Sequence, residues 1–164
     1  MVRFIALAGG IAGAASLSQF PEFSQQYLQR LAGAVDELRA LVIAFDAAAQ
    51  AAGISRDAAL AELSGSPFKT ELQTTLAGQI TRFEALSASY SALRAAEPLE
   101  RLALFFRFND PDLARRTWED FRPGLPITRD GLFCAGLGFA AGWGALILGL
   151  GGLKRLTRSK VEVA

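Results

Sequence analysis

The stretch GLFCAGLGFAAGWGALILGLGGL, residues 131–153, decides the fold class of this chain. Its 23 residues carry no charge, and as an α-helix they extend about 34 Å, enough to cross a hydrocarbon core of about 30 Å. Pro123 and Pro126 lie before the stretch, and Thr128 is a good N-cap for a helix that enters it. We therefore predict a transmembrane helix over residues 129–153.

Basic residues follow this helix directly and give it an expected orientation. Residues 154–164 contain Lys154, Arg155, Arg158 and Lys160, opposed only by Glu162. A basic cluster beside a span stays in the cytoplasm, because moving it across the bilayer is costly. We expect residues 154–164 to form a basic cytoplasmic tail.

A shorter apolar segment lies near the N-terminus. The stretch FIALAGGIAGAASLSQF, residues 4–20, has 17 uncharged residues, about 25 Å as a helix and therefore near the lower limit for a span. After Arg3 it fits a first transmembrane helix, residues 1–20, or a signal peptide cleaved at the small residues around Gly13. We favour the uncleaved span, which places both termini in the cytoplasm and residues 21–128 in the periplasm of a bacterial inner-membrane protein.

Small residues in both apolar segments suggest close helix packing. Gly9 and Gly13 form one GxxxG pair, and Gly138 and Gly142 form another. Small residues let helix backbones approach closely in lipid, where apolar surface alone gives no drive to associate. These four glycines would pack the spans on each other or on a partner. Alternatively, glycine is simply tolerated in spans.

The segment after the first span predicts a long helix with a heptad seam. Between residues 22 and 52, apolar positions recur at alternating steps of three and four. They are Leu28, Leu31, Val35, Leu38, Val42, Phe45, Ala49 and Ala52. An ordinary amphipathic core helix is the alternative, and it differs only in what the seam packs against. Gly53 supplies a stop.

A short helix and then a second long helix follow. Ser55 is a candidate N-cap for the short one, and Ser66 with Pro67 opens the long one, residues 67–96. Both long helices are about 45 Å in length, so we expect them to fold back on each other. The predicted fold class is all-α, with two transmembrane helices flanking a periplasmic antiparallel coiled-coil hairpin, residues 21–97, and short membrane-proximal helices, residues 98–128.

The membrane-proximal segment combines aromatic residues with Arg. Asp110 and Pro111 predict the start of a short amphipathic helix, with Leu113, Trp118 and Phe121 near one face. Aromatic side chains with flanking Arg suit the headgroup region of a bilayer, but they would also fit a packed base under the hairpin. Arg115 and Arg116 could instead pair with Glu119 and Asp120 on the same helix. The candidate membrane-interface residues are Phe105, Phe106, Arg115, Arg116, Trp118 and Phe121.

Composition argues against catalysis. The chain has 16 Asp and Glu residues but no His and one Cys, so it lacks the commonest general base and any paired-cysteine metal site. The carboxylate pairs, such as Asp110 with Asp112, fit helix starts and solvated faces. We expect no enzymatic activity, no cofactor and no bound metal. A net charge of +1 gives no indication of nucleic-acid binding, and no small-molecule substrate is evident.

Two stretches carry a family resemblance. QFPEFSQQYLQRLAGAVDEL, residues 19–38, together with FRPGLPITRDG, residues 121–131, resembles an uncharacterised family of bacterial membrane proteins, a domain of unknown function found mostly in proteobacteria. The resemblance covers nearly the whole chain. It implies the two-span plan and supplies no activity, substrate or site residues.

Two functions fit these expectations. The first is a scaffold or accessory subunit that binds another membrane protein or a second copy of itself. The second is a regulator of the cell envelope that acts on lipid or polymer at the periplasmic membrane surface. The lipid bilayer is the expected surrounding in both.

Overall fold

A computed structural model describes residues 2–125 and 127–161, with side chains described only as far as Leu150. Every regular element within these ranges is helical. They are α1 (Val2–Leu17), α2 (Phe20–Ala51), α3 (Arg56–Glu62), α4 (Pro67–Ala95), short 3₁₀ turns at Glu100–Leu102 and Phe105–Arg107, α5 (Pro111–Glu119) and α6 (Arg129–Val161). The all-α prediction is therefore confirmed for this part of the chain. The side chains of the expected basic tail, residues 154–164, lie outside it.

Among the residues that the structure describes, two helical stretches are long and apolar enough to cross a membrane. They are Val2–Ala51, which includes α1, and Arg129–Leu150 of α6. Apolar side chains point outward on both, for example Phe4 at 78% and Leu148 at 77% exposure. Such exposure is costly in water and normal in lipid. The two predicted spans thus correspond to real helices of suitable length and composition.

The helices α3 to α6 begin at the N-cap residues that the sequence predicted. Each predicted N-cap oxygen accepts a hydrogen bond from the backbone N–H three residues later, which satisfies one of the unpaired donors of the first turn. The caps are Ser55 to Ala58 at 3.2 Å, Ser66 to Lys69 at 3.3 Å, Asp110 to Leu113 at 2.9 Å and Thr128 to Gly131 at 3.1 Å. After α2, Gly53 has a φ of +74°, which only glycine adopts without cost.

The chain divides into two compact units. The terminal unit combines residues 1–25, 98–103 and 121–164, and the central unit combines residues 26–97 and 104–120. In the terminal unit α1 packs along α6, and the rings of Phe23 and Phe121 meet edge to face at 5.8 Å.

The central unit has one hydrophobic core, built by α2, α4 and α5. The residues from α2 lie between Tyr27 and Leu38, and those from α4 lie in its second half. Its buried members are Tyr27, Leu28, Leu31, Val35, Leu38, Leu86, Leu93 and Leu113. Six of the eight seam positions that the sequence predicted are buried, with Val42 and Ala49 further along α2. Phe45 is half-buried, and Ala52 is exposed and follows the end of α2.

Candidate functional site

The closest approach in the terminal unit is between the backbones of α1 and α6. A Cβ built on Gly13 would collide with the carbonyl oxygen of Gly138, and a Cβ on Gly138 would collide with the carbonyl oxygen of Gly13. A Cβ on Gly142 would likewise meet the carbonyl oxygen of Gly9, and one on Gly9 would lie 3.2 Å from that of Gly142. The four glycines therefore face each other in two pairs along antiparallel helices.

We call the contact of Gly9 and Gly13 with Gly138 and Gly142 the glycine interface, and neighbouring residues extend it. Ala6 is fully buried, and a Cβ on Gly10 would lie 2.7 Å from Cε2 of Phe139. By contrast, a Cβ on Gly136 or Gly144 would meet nothing within 4 Å. The structure thus brings Gly9, Gly13, Gly138 and Gly142 together within one chain and leaves Gly136 and Gly144 open.

The candidate membrane-interface residues divide into exposed and packed groups. The exposed aromatic side chains are Phe105 at 72%, Phe106 at 56% and Trp118 at 70%. Phe105 and Phe106 meet edge to face at 6.3 Å. Phe121 is half-buried against Phe23. The sequence left open whether this segment packs or faces lipid, and the structure buries some of its side chains and exposes others.

One detail of the amphipathic pattern on α5 was wrong. We expected Leu113 and Trp118 near one face, yet Leu113 is buried in the central core and Trp118 is exposed. The buried side continues from Leu113 to Thr117, which is 1% exposed. Residues four apart share a helix face, whereas residues five apart diverge.

The two arginines of α5 are both exposed. Arg115 binds Glu119 at 2.9 Å, the i,i+4 pair that the sequence allowed. Asp120, the residue expected opposite Arg116, instead pairs with Arg30 of α2. One ion pair therefore lies within α5, and the other joins the residue that follows α5 to α2. Arg116 lines a polar crevice of about 250 Å³ between α2, α4 and α5.

Two ion pairs of the central unit shift the pKa of their carboxyl groups. Burial opposes ionisation of Asp110, but the hydrogen bond from the Leu113 N–H and the pair with Arg82 at 2.8 Å outweigh it, so the pKa of Asp110 is lowered. The Arg56 guanidinium, 2.7 Å away, lowers the pKa of Asp46. Both carboxylates are held ionised by structural partners, which is a stabilising rather than a catalytic arrangement.

The sequence did not single out two buried polar residues of the terminal unit. Arg101 is 6% exposed, and its Nη1 donates to Oε1 of Gln25 at 3.2 Å and to Ser24. Ser24 is fully buried and donates to the carbonyl of Pro21. These contacts attach the segment 98–103 to the start of α2. Periodicity within one helix carries no signal for a partner 77 residues away.

The described residues contain no group of three or more Cys, Asp or Glu side chains suited to a metal ion. Asp36 of α2 pairs with Arg39 at 3.1 Å. Asp112 approaches Arg115 at 3.8 Å.

Comparison with known proteins gives one finding. A family model described as a protein of unknown function (DUF2937) matches residues 1–159. Neither the curated proteins nor the solved structures give a match.

Proposed function

The chain belongs to the DUF2937 family of proteins of unknown function, and we propose that it is a non-enzymatic integral protein of the bacterial inner membrane. In this proposal it serves as a scaffold or accessory subunit of a membrane complex, or as a homo-oligomer. Both termini lie in the cytoplasm, and residues 21–128 lie in the periplasm.

The glycine interface is the observation that carries this proposal. Facing glycines let two apolar helices approach closely. In lipid, helices associate through such close van der Waals packing, because burying apolar surface gives no free-energy gain there. A signal peptide that is cleaved would not need to pack closely against a helix at the other end of the chain. The match between Gly9, Gly13 and α6 therefore supports a first span that is kept.

The central unit supports a rigid periplasmic hairpin. Residues of α2 between Tyr27 and Leu38 share one core with residues of the second half of α4, as expected of antiparallel helices. α2 has 32 residues and α4 has 29, so each helix extends about 45 Å. A rod anchored in the membrane holds partners at a fixed distance from the bilayer.

An open row on α6 supports association with a partner. Gly136, Ala140 and Gly144 recur every four residues, and added Cβ atoms on the two glycines would meet nothing within 4 Å. Trp143 beside them is 44% exposed. A small-residue row with an adjacent aromatic side chain permits close approach of another span, and the glycine interface leaves it available.

Purification from native membranes in a mild detergent tests the scaffold proposal. We expect a stoichiometric partner protein or a homo-oligomer, detected by native mass spectrometry. The double variant Gly136→Leu with Gly144→Leu should lose that association, because bulk on the row blocks close approach. Gly33→Leu, at a similarly open glycine of α2, is the matched control and should keep it. A monomer without partners at native expression level would contradict the proposal.

The exposed aromatic side chains favour a second candidate, a regulator of the cell envelope that acts at the membrane surface. Phe105, Phe106 and Trp118 are 72%, 56% and 70% exposed. Exposed aromatic side chains suit the bilayer interface.

Alanine at Phe105, Phe106 and Trp118 tests this candidate. We expect greater sensitivity of the cells to detergents, with the purified complex unchanged in composition. Alanine at Leu41 and Ile43, exposed apolar residues of α2, is the control. Wild-type sensitivity of the aromatic variant would count against envelope regulation while leaving the scaffold proposal in place.

A further inference from the structure

The polar crevice beside Arg116 lies wholly within the central unit, where α2, α4 and α5 meet. Each helix lines it with residues three or four positions apart, which share one face of a helix. Its polar lining consists of Glu37 from α2, Gln79 and Arg82 from α4, and Asp112 and Arg116 from α5. Because none of these residues belongs to the terminal unit, the crevice does not depend on the membrane role proposed for α1 and α6.

The floor of the crevice is apolar. Leu38 and Leu113, which are 7% and 8% exposed, belong to the central core, and Ala34 packs against that core. All three residues also line the crevice. A molecule bound here would therefore contact aliphatic carbon on one side and polar groups on the other.

Two of the four charged side chains in this lining already have partners outside it. Arg82 donates from Nε and Nη2 to Oδ2 of Asp110, at 3.2 and 2.8 Å. Asp112 approaches Arg115 at 3.8 Å. These two charges are compensated within the protein, so a ligand does not need to neutralise them.

The other two charges, on Glu37 and Arg116, are not compensated. Among the residues that the structure describes, neither side chain lies within 4.0 Å of an oppositely charged group. The side-chain amide of Gln79 likewise has no hydrogen-bond partner in that part of the chain. Opposite charges of neighbouring segments do pair elsewhere in this unit, as Arg30 of α2 does with Asp120 after α5. Glu37 and Arg116 thus leave open the space that they border from α2 and α5.

The size of the crevice limits what it can hold. A volume of about 250 Å³ equals that of roughly eight water molecules and lies below the range of nucleotide or drug-sized sites. A sphere of this volume is about 8 Å across. After two charge-assisted hydrogen bonds of about 2.8 Å each, the remaining length fits a molecule whose opposite charges are a few ångströms apart.

Charge selects the class of ligand. The guanidinium of Arg116 suits a carboxylate, which it can bind through two parallel N–H donors. The carboxylate of Glu37 accepts hydrogen bonds from an ammonium group, and the amide of Gln79 can donate or accept. An aliphatic side chain would contact Leu38 and Leu113 on the floor. We propose that this crevice binds a free α-amino acid with a small aliphatic side chain.

Isothermal titration calorimetry of the purified full-length chain in mild detergent tests the amino-acid site. The probes are L-valine, 3-methylbutanoate, which lacks the ammonium group, and isobutylamine, which lacks the carboxylate. We expect L-valine to bind with a dissociation constant of about 1 mM or tighter, on the order of tenfold more tightly than either analogue. Phosphoethanolamine, the zwitterion of a lipid headgroup, has no aliphatic side chain for the floor and should bind more weakly than L-valine.

Two single variants separate the two ends of the ligand. Glu37→Gln should weaken the binding of L-valine about tenfold and leave that of 3-methylbutanoate unchanged, since this analogue has no ammonium group. Arg116→Gln should weaken L-valine to a similar extent and leave isobutylamine unchanged. The matched controls, Glu62→Gln on α3 and Lys69→Gln on α4, change exposed charges outside the crevice and should bind L-valine as the wild type does.

No binding of L-valine by the wild-type chain at about 10 mM would overturn the proposal, as would equal affinity for L-valine and either analogue. Neither result depends on a variant that folds. A Glu37→Gln chain with wild-type affinity for L-valine would overturn the crevice as the site, and tighter binding of phosphoethanolamine would overturn the amino acid as the ligand. Because the isolated chain is titrated, failure here is distinct from failure to recover a partner protein from membranes.

Discussion

Two nearby glycines of α6 have different surroundings, which cannot be inferred from the residue type. Gly138 touches the backbone of α1, while Gly136, two residues earlier, faces open space. Sequence reasoning identified the GxxxG pairs and could not say whether they meet each other or a partner, because both options need the same small residues. The geometry shows them meeting each other.

The first prediction contrasts Gly138→Ala with Gly136→Ala. The methyl group on Gly138 has no room, so we expect a loss of about 1–3 kcal/mol in the free energy of unfolding. The methyl group on Gly136 meets nothing and improves helix propensity, so we expect no loss there. Unfolding in detergent, followed by circular dichroism, measures both. Equal effects of the two substitutions would show that α1 and α6 do not touch as described.

The second prediction concerns Asp110, which caps α5 and pairs with Arg82. Asn caps a helix about as well as Asp, so Asp110→Asn should remove the ion pair alone and cost about 0.5–1 kcal/mol at pH 7. Asp110→Ala also removes the cap and should cost about 1 kcal/mol more.

The same residue predicts a pH dependence. Because the folded pKa of Asp110 is lowered, its contribution is present above the unfolded value of about 3.9 and is lost as pH falls through the folded value. Asp110→Asn and wild type should therefore differ in stability at pH 7 and converge once pH has fallen below the folded value. A difference that stays constant with pH would contradict this assignment.

At the scale of elements, local signals found most of what the structure contains. Ser55, Ser66, Asp110 and Thr128 were identified as caps because a cap depends on residues three positions apart. The seam of α2 was visible because period 3.5 is a local property. The position of Tyr27 was missed, although it is fully buried and packs at 4.7 Å on Phe108, since that contact joins distant segments.

The third prediction tests the central core with one substitution at two positions of α2. Leu31 is fully buried and Leu41 is 37% exposed. Leu31→Ala should lower the free energy of unfolding by about 2–5 kcal/mol, because it leaves a cavity, whereas Leu41→Ala should change it by less than about 1 kcal/mol. Thermal unfolding of the full chain compares them. Similar losses at both positions would exclude the observed seam.

At the scale of the whole molecule, the proposed function requires that α1 remains part of the protein. A signal peptide resembles a short span in composition, so the sequence left this choice open. The contacts of Gly9 and Gly13 with α6 argue for retention, since removal of residues 1–14 would strip α6 of its closest neighbour. The glycine interface and the proposed membrane anchoring both require that neighbour.

Intact mass spectrometry of the C-terminally tagged protein, extracted from the membranes in which it is expressed, tests this claim directly. The account predicts a mass that includes all of α1, with no loss beyond the initiator Met. A mature protein that begins at about residue 15 would contradict it, because the glycine interface could not then form.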